Sequence, residues 1–134
     1  RDKANENEQK VFGIPPEGDV VRIVRVYYCD GRPITHTHIS LPAHKVPGME
    51  KLDINNRSIF QTIRERYGLT VQRAERWFTA EMPDAISCQR MGVPADAPLI
   101  AIESIAYDYD GGVLEYYRAF YNSAVARIHL RIES

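Results

Sequence analysis

The sequence predicts one α+β domain with a mainly antiparallel sheet covered by helices. Its 134 residues are enough to form a single hydrophobic core. Two pairs of strand-like runs are joined by Asp-Gly turns, which is typical of hairpins. Two helix patterns with clear start and stop residues lie between the hairpins. The predicted order is hairpin, helix, strand, helix, hairpin, strand.

The first hairpin is predicted from residues 20–29 (VVRIVRVYYC) and 33–41 (PITHTHISL), which flank the turn at Asp30 and Gly31. Both runs are rich in β-branched and aromatic residues, which favour strands. The other predicted strands are residues 69–82, 99–109, 111–124 up to a break near Asn122, and 125–133 (VARIHLRIE). The turn at DGG, residues 110–112, joins two of these into the second hairpin.

The main helix is predicted to begin at Ser58 and to end at Gly68. Ser58 and Gln61 match a capping box, and glycine commonly follows a helix end. Its apolar stripe is formed by Ile59, Phe60, Ile63 and Tyr67. A shorter helix is predicted between an N-cap at Asp84 and a stop at Gly92, with Ile86 and Met91 as its apolar positions.

Charge and hydropathy exclude several classes of function. The formal net charge is −1, so no broad positive field would attract DNA or anionic lipid. No apolar run approaches the roughly 18 residues that a membrane span needs. We therefore expect a cytoplasmic protein with no membrane partner. Cys29 and Cys88 lie far apart without metal-ligand spacing, and we expect both to be ordinary thiols.

The usual catalytic signatures are absent, since the sequence has no Walker A loop, GxGxxG, GxSxG or HExxH. His36 and His38 share one face of a strand, but no neighbouring ligand completes a metal set. We interpret this pair as structural or solvent-facing. His44 and His129 have no visible nucleophile partner. We therefore expect no cofactor, no metal and no catalytic residue.

Arg25 is a candidate anion-binding residue. Strand alternation places it on one face with Val21, Ile23 and Tyr27, and a guanidinium among apolar groups loses hydration unless an anion pairs with it. That anion is either an internal carboxylate or an incoming ligand, and the strand alone leaves both open. If Ser58 faces Arg25, its helix N-terminus adds free N–H groups and a positive dipole. A plain N-cap role for Ser58 is the alternative.

The stretch GGVLEYYRAFYNSA, residues 111–124, holds a second group of candidates. Alternation places Val113, Glu115, Tyr117, Ala119 and Tyr121 on one face of the strand. The opposite face carries Leu114, Tyr116, Arg118 and Phe120. One carboxylate and two phenols amid small apolar groups suit a polar ligand. If this face is exposed to solvent, the same residues do not indicate a ligand site.

Several short motifs occur in an order that resembles one known family. They are a strand with a central arginine before D-G-x-P, L-P ahead of a P-G loop, S-I-F and Y-G at the helix ends, M-G-V-P-x-D-x-P-L, and Y-D-x-D-G-x-x-x-E-Y-Y-R. Their order and spacing over residues 11–133 resemble the UTRA domain. That domain is the effector-binding module of GntR-superfamily transcription regulators of the HutC subfamily.

The resemblance implies a chorismate-lyase-like fold with a six-stranded antiparallel sheet. It also implies a homodimer in which a small-molecule effector alters the spacing of N-terminal winged-helix DNA-binding domains. No such domain is present in this sequence, which has no initiator Met, so we expect a fragment that contacts DNA only through the missing part. The effector domain is expected over residues 11–134, with residues 1–10 (RDKANENEQK) as a linker remnant or frayed helix.

The resemblance implies a ligand site at Arg25, Tyr27, Thr37, Ser58, Phe60, Glu115 and Tyr121, and strand alternation adds Tyr117 as their neighbour. Arg25 matches the first of two arginines used by members that bind phosphorylated sugars, and Tyr27 stands at the second position. Thr37 replaces a family glutamate, and Phe60 replaces a tyrosine. These changes favour a smaller or more apolar carboxylate-type effector over a sugar phosphate.

We therefore interpret the chain as an effector-binding and dimerisation domain that takes a small anionic metabolite. Two alternatives remain open at this point. One is a chorismate-lyase-like enzyme that uses Arg25 and Glu115, and the other is a dimerisation module that binds no ligand.

Overall fold

The computed structural model describes residues 1–133 and contains one antiparallel six-stranded sheet in the order β1-β2-β3-β6-β5-β4. The strands are β1 (Asp2–Lys3), β2 (Asp19–Cys29), β3 (Arg32–Pro42), β4 (Arg73–Glu81), β5 (Leu99–Tyr107) and β6 (Val113–Tyr121). The helices are α1 (Glu6–Phe12), α2 (Ile59–Tyr67) and α3 (Ala85–Met91), and two short 3₁₀ helices span Ala43–Lys45 and Met49–Lys51. The predicted α+β class and six-stranded antiparallel sheet are confirmed.

Both predicted hairpins are present. Asp30 and Gly31 join β2 to β3 with φ angles of 51° and 77°, and two positive φ angles in a two-residue turn match the twist of paired strands. Gly111, at φ 81°, lies in the turn that joins β5 to β6. Cys29 and Cys88 are free thiols, as expected.

The two predicted helices begin and end at the predicted residues. The Ser58 hydroxyl accepts the Gln61 N–H at 3.3 Å, and Gly68 ends α2 in the left-handed region. The capping box is not closed, because the Gln61 side chain donates to Glu65 instead. Asp84 and Gly92 bound α3 in the same way. Among the described residues, no helix has the length and apolar character needed to cross a membrane.

The main core packs the segment 43–69 against the sheet, and its largest sealed side chains include Leu41, Met49, Ile63 and Leu114. Ile59 and Ile63 of the predicted apolar stripe are buried there. Phe60 is an exception, since 38% of it is exposed. It lies at the rim of a cavity described below, which explains an apolar residue outside the core.

The N-terminal residues differ from the expected linker. Residues 2–3 pair with β2, and Asn5 caps α1 with a complete capping box. Helix α1 is held on the sheet because Arg22 and Ser40 both bond to the buried Glu8, and Asn7 donates to the Tyr116 hydroxyl at 3.0 Å. A polar composition suggested a free segment, but here buried polar contacts anchor it.

The predicted last strand is not formed in the described chain. Residues 125–133 lie outside the sheet, and their alternating apolar side chains Ile128, Leu130 and Ile132 are 37%, 71% and 90% exposed. Strand β4 is similarly uncovered: among the described residues it pairs only with β5, and all nine of its own residues are exposed. A strand pattern needs a partner edge, and within residues 1–133 the tail pairs with no strand edge.

Candidate functional site

A cavity of about 730 Å³ lies between the sheet and the N-terminal end of α2. Seven of the eight predicted ligand residues line it, and they come from β2, β3, β6 and the start of α2. They are Arg25, Tyr27, Thr37, Ser58, Phe60, Glu115 and Tyr117. Residues far apart in the sequence therefore form one continuous surface.

Strand pairing explains why these side chains share one face. Arg25 on β2 pairs with Thr37 on β3, which in turn pairs with Ala119 on β6. Glu115 and Tyr117 precede Ala119 at even spacing on the same strand, so all three face the same side. The alternation predicted for both strands matches the lining of the cavity.

Arg25 joins the sheet to the loop before α2. Its Nη1 donates to the carbonyl oxygen of Arg57 at 2.6 Å, and its Nη2 donates to that of Ile54. Within residues 1–133 it forms no ion pair, so the alternative of an internal carboxylate partner is not what the structure shows. Carbonyl oxygens leave the positive charge uncompensated, and the guanidinium keeps further N–H donors for an anion.

The N-terminus of α2 opens onto the same cavity. Ser58 caps the helix, and Ser58, Ile59 and Phe60 all line the cavity wall. The first N–H groups of a helix have no intrahelical acceptor and carry the positive end of the dipole. Together with Arg25, this helix end makes one side of the cavity suited to an anionic group.

Glu115 is the one acidic residue among the described residues that line this cavity, which also contains three arginines. It is 4% exposed, and its carboxyl group makes no hydrogen bond within residues 1–133. Burial raises the pKa of Glu115 to about 7, and the nearby positive charge of Arg76 opposes that rise only in part. The group is therefore partly protonated near neutral pH.

Two cationic residues of the cavity were not predicted, namely Arg57 and Arg76. Arg76 on β4 donates from Nε to the Ser104 hydroxyl at 3.3 Å, and its guanidinium carbon lies 6.0 Å from the centre of the Tyr117 ring. Pairing the predicted strand 69–82 with the strand 99–109 would have placed Arg76 on this face. Arg57 lies in the loop before α2, where alternation carries no information.

Tyr121 is the predicted residue that does not line the cavity. Its hydroxyl donates to the carbonyl oxygen of Ala126 at 2.8 Å, in the turn after β6. Its position at the end of β6 gives the phenol a structural contact after that strand.

The HxH pair lies on the opposite face of the sheet, where a second cavity of about 710 Å³ is found. His36 is buried and its Nδ1 lies 3.0 Å from the Ser87 hydroxyl. His38 is exposed, and the two rings meet edge to face. Within residues 1–133, no group of three or more His, Cys, Asp or Glu side chains is placed to hold a metal.

Comparison with known proteins agrees with this architecture. A family model described as the UTRA domain matches residues 1–126. The chain belongs to the UTRA family. The match includes residues 1–10, which contain β1 and the first part of α1. The family resemblance therefore begins at residue 1 and not at residue 11.

Two curated relatives of this UTRA domain are transcription regulators. The HTH-type transcriptional repressor PhnF of Mycolicibacterium smegmatis is 27% identical over 111 residues, which are 83% of this chain and 45% of that protein. The HTH-type transcriptional regulator GmuR of Bacillus subtilis is 27% identical over 105 residues, which are 78% of this chain and 44% of that protein. The chain thus spans less than half the length of each relative.

Solved structures share the fold of this UTRA domain. The effector domain of PhnF from Mycobacterium smegmatis superposes with a TM-score of 0.90 at 24% identity, covering 98% of this chain and 80% of that one. A GntR-family transcriptional regulator from Enterococcus faecalis gives 0.85 at 20% identity, covering 98% and 93%. The homologues are transcription regulators, and these structures match the fold.

Proposed function

We propose that this UTRA domain is the effector-binding domain of a cytoplasmic GntR-type regulator of the HutC subfamily, and that it takes a small anionic metabolite. One observation carries the proposal: the Arg25 guanidinium, without an acidic partner in residues 1–133, lines a cavity together with the N-terminus of α2. The regulatory function of the curated relatives favours binding over catalysis.

The switch acts through the loop before α2. Arg25 holds two carbonyl groups of this loop, so an anion on Arg25 would contact the sheet, the loop and α2 at once. A ligand shifts a conformational equilibrium only through different affinities for the two states, typically by about 1–3 kcal/mol. In the full-length protein, this shift changes the spacing of N-terminal winged-helix domains and therefore DNA binding.

A calorimetric titration of anionic metabolites, with inorganic phosphate included, tests the anion site. Arg25→Ala should weaken anion binding by about tenfold or more, and Arg25→Lys should weaken it less because it keeps the charge. Arg32→Ala serves as the matched control, since Arg32 is exposed and does not line the cavity. Circular dichroism checks folding. Equal affinities for the wild type and Arg25→Ala would remove Arg25 from the site.

The domain also acts as a homodimer in this proposal. The outer edge of β4 is unpaired within the described chain, and Trp77 and Phe78 on this strand are each 47% exposed. Long exposed edges that carry apolar side chains are templates for pairing with another chain. We assign β4 and the apolar tail around Ile128, Leu130 and Ile132 to the contact with a second copy.

Sedimentation equilibrium measures this association directly. Trp77→Lys combined with Leu130→Asp should shift the chain from dimer to monomer. Tyr109→Asp is the control, because Tyr109 is 70% exposed in the turn after β5 and lies outside the proposed contact. A monomeric wild-type chain at micromolar concentration would contradict the homodimer.

The proposal includes binding without turnover. Incubation of the chain with chorismate should form no 4-hydroxybenzoate beyond the spontaneous rate. Enzyme-dependent product formation would replace the sensor function with catalysis on the same fold.

A further inference from the structure

The carboxyl group of Glu115 is a buried charged group of the cavity that lacks a hydrogen-bond partner within residues 1–133. Buried carboxyl groups normally have hydrogen-bond or ionic partners, because an unpaired buried charge is strongly unfavourable. Glu115 is only 4% exposed, yet it makes no side-chain hydrogen bond within residues 1–133. Its cross-strand neighbour on β5 is Ala106, which offers no polar side chain.

The charged groups around Glu115 leave room for a cation from outside. Arg76 on β4 attracts the carboxylate, but no ion pair within 4.0 Å joins them, and the Arg76 Nε is already bonded to Ser104. Arg25 and Arg57 line the cavity around the start of α2. The cavity wall therefore carries three arginines and one buried carboxyl group. The arginines suit an anionic group of a ligand, and the carboxyl group suits a cationic one.

The register separates the two ends of the site. Arg25 lies two strands from β6, opposite Thr37 and then Ala119, and Glu115 lies four residues before Ala119. With strand spacings of about 4.8 Å and a rise of about 3.3 Å per residue, the two Cα atoms are on the order of 16 Å apart. Since both side chains extend into the cavity, one small molecule with several atoms between its charged groups can reach both.

We propose that the effector is amphoteric: its anionic group binds Arg25 and the N-terminus of α2, while a protonated nitrogen of the same molecule pairs with Glu115. This inference rests on the proposed effector-binding function and names the class of its ligand. A protonated amine supplies the charge and the N–H donors that the buried carboxyl group lacks. A purely anionic ligand would leave Glu115 unpaired.

Proton release is a consequence of this pairing. Because burial raises the pKa of Glu115 to about 7, the group carries part of a proton at pH 7 and must ionise to bind an ammonium. The affinity for an amphoteric carboxylate ligand should therefore rise about tenfold from pH 6 to pH 8. The carboxylate and the aliphatic amine of such a ligand do not titrate over this range.

Matched ligand pairs provide the test. Linear ω-amino acids with three to six carbons are compared with the corresponding aliphatic acids, by titration calorimetry of the whole chain at pH 6 and pH 8. At pH 8 at least one amine-bearing ligand should bind tenfold tighter than its partner without the amine. Glu115→Gln, which is nearly isosteric, should abolish that preference and the pH dependence. Arg25→Ala should weaken both members of a pair.

The outcomes distinguish a failure of the amphoteric ligand from a failure of the anion site. If anions bind and depend on Arg25, but the amine adds no affinity, the amphoteric ligand is wrong and the anion site stands. The same conclusion follows if Glu115→Gln keeps the preference for the amine. If neither series nor inorganic phosphate binds to the folded chain, both the anion site and the amphoteric ligand are contradicted.

Discussion

Two glutamates on opposite faces of the sheet are almost equally buried, but their surroundings differ. Glu8 on α1 is 3% exposed, and Glu115 on β6 is 4% exposed. Glu8 accepts hydrogen bonds from Arg22 Nη2 at 2.6 Å, from the Ser40 hydroxyl at 2.6 Å and from the Asn5 N–H at 2.9 Å. Glu115 has none of these within residues 1–133.

The difference in partners shifts the two pKa values in opposite directions. Burial acts to raise the pKa of Glu8, but the hydrogen bonds from Arg22 and Ser40 outweigh it and hold the pKa below its usual value. Burial raises the pKa of Glu115 with little opposition. Glu8 is thus a charged structural residue that holds α1 on the sheet, whereas Glu115 has no such partner within residues 1–133. Burial alone does not distinguish these roles; the presence of partners does.

The largest expected effect is the pH dependence of stability that Glu115 causes. Its pKa is raised on folding, so the folded state binds the proton more tightly than the unfolded chain does. The stabilisation is complete below about pH 4.5 and is lost as pH rises to about 7, by on the order of 3 kcal/mol. Urea denaturation of wild type and Glu115→Gln should show a difference that grows over this pH range.

Glu6→Gln is the control for that measurement, since Glu6 is exposed on α1. It should follow the wild-type profile. A constant difference between Glu115→Gln and the wild type from pH 4.5 to pH 7 would show that Glu115 has an ordinary pKa, and the contrast with Glu8 would disappear.

Glu8→Gln should give the next largest effect, with the opposite sign at neutral pH. The amide cannot balance the charge of Arg22, and its NH₂ group cannot accept the bonds that one carboxylate oxygen accepts. We expect a loss of about 2 kcal/mol in the free energy of unfolding at pH 7. Glu6→Gln again provides the matched control on the same helix, and an unchanged urea midpoint for Glu8→Gln would contradict the structural role.

The sequence predicted the cavity better than it predicted the packing around it. Alternation in β2 and β6 fixes the faces of Arg25 and Glu115, since side-chain direction in a strand is a local property. The Ser58 cap is also local. Arg57 in a loop and Arg76 on β4 reach the cavity only because of how distant segments pack together. Local alternation does not specify that packing, so neither residue was predicted.

The N-terminal residues and the tail both depend on partners that a local pattern does not reveal. Residues 1–10 look like a linker because their composition is polar, and only the distant partners Arg22 and Ser40 turn Glu8 into a buried anchor. Residues 125–133 have a good strand pattern, but a strand also needs an edge to pair with, which a pattern does not specify. Partner choice is a tertiary property in both cases.

The smallest expected effect tests whether the polar groups on the face of the sheet opposite Glu115 are paired throughout. The Ser87 hydroxyl donates to Asp84 Oδ2 at 3.2 Å, so Nδ1 of the buried His36 donates to the Ser87 oxygen at 3.0 Å. Ser87→Ala leaves that N–H without an acceptor and should lower the free energy of unfolding by about 1 kcal/mol. Ser123→Ala, at an exposed turn position, should leave it unchanged. Equal stabilities for the two variants in urea would mean that the His36–Ser87 hydrogen bond adds little to stability. The difference in hydrogen bonding between the two faces would then be limited to Glu8 and Glu115.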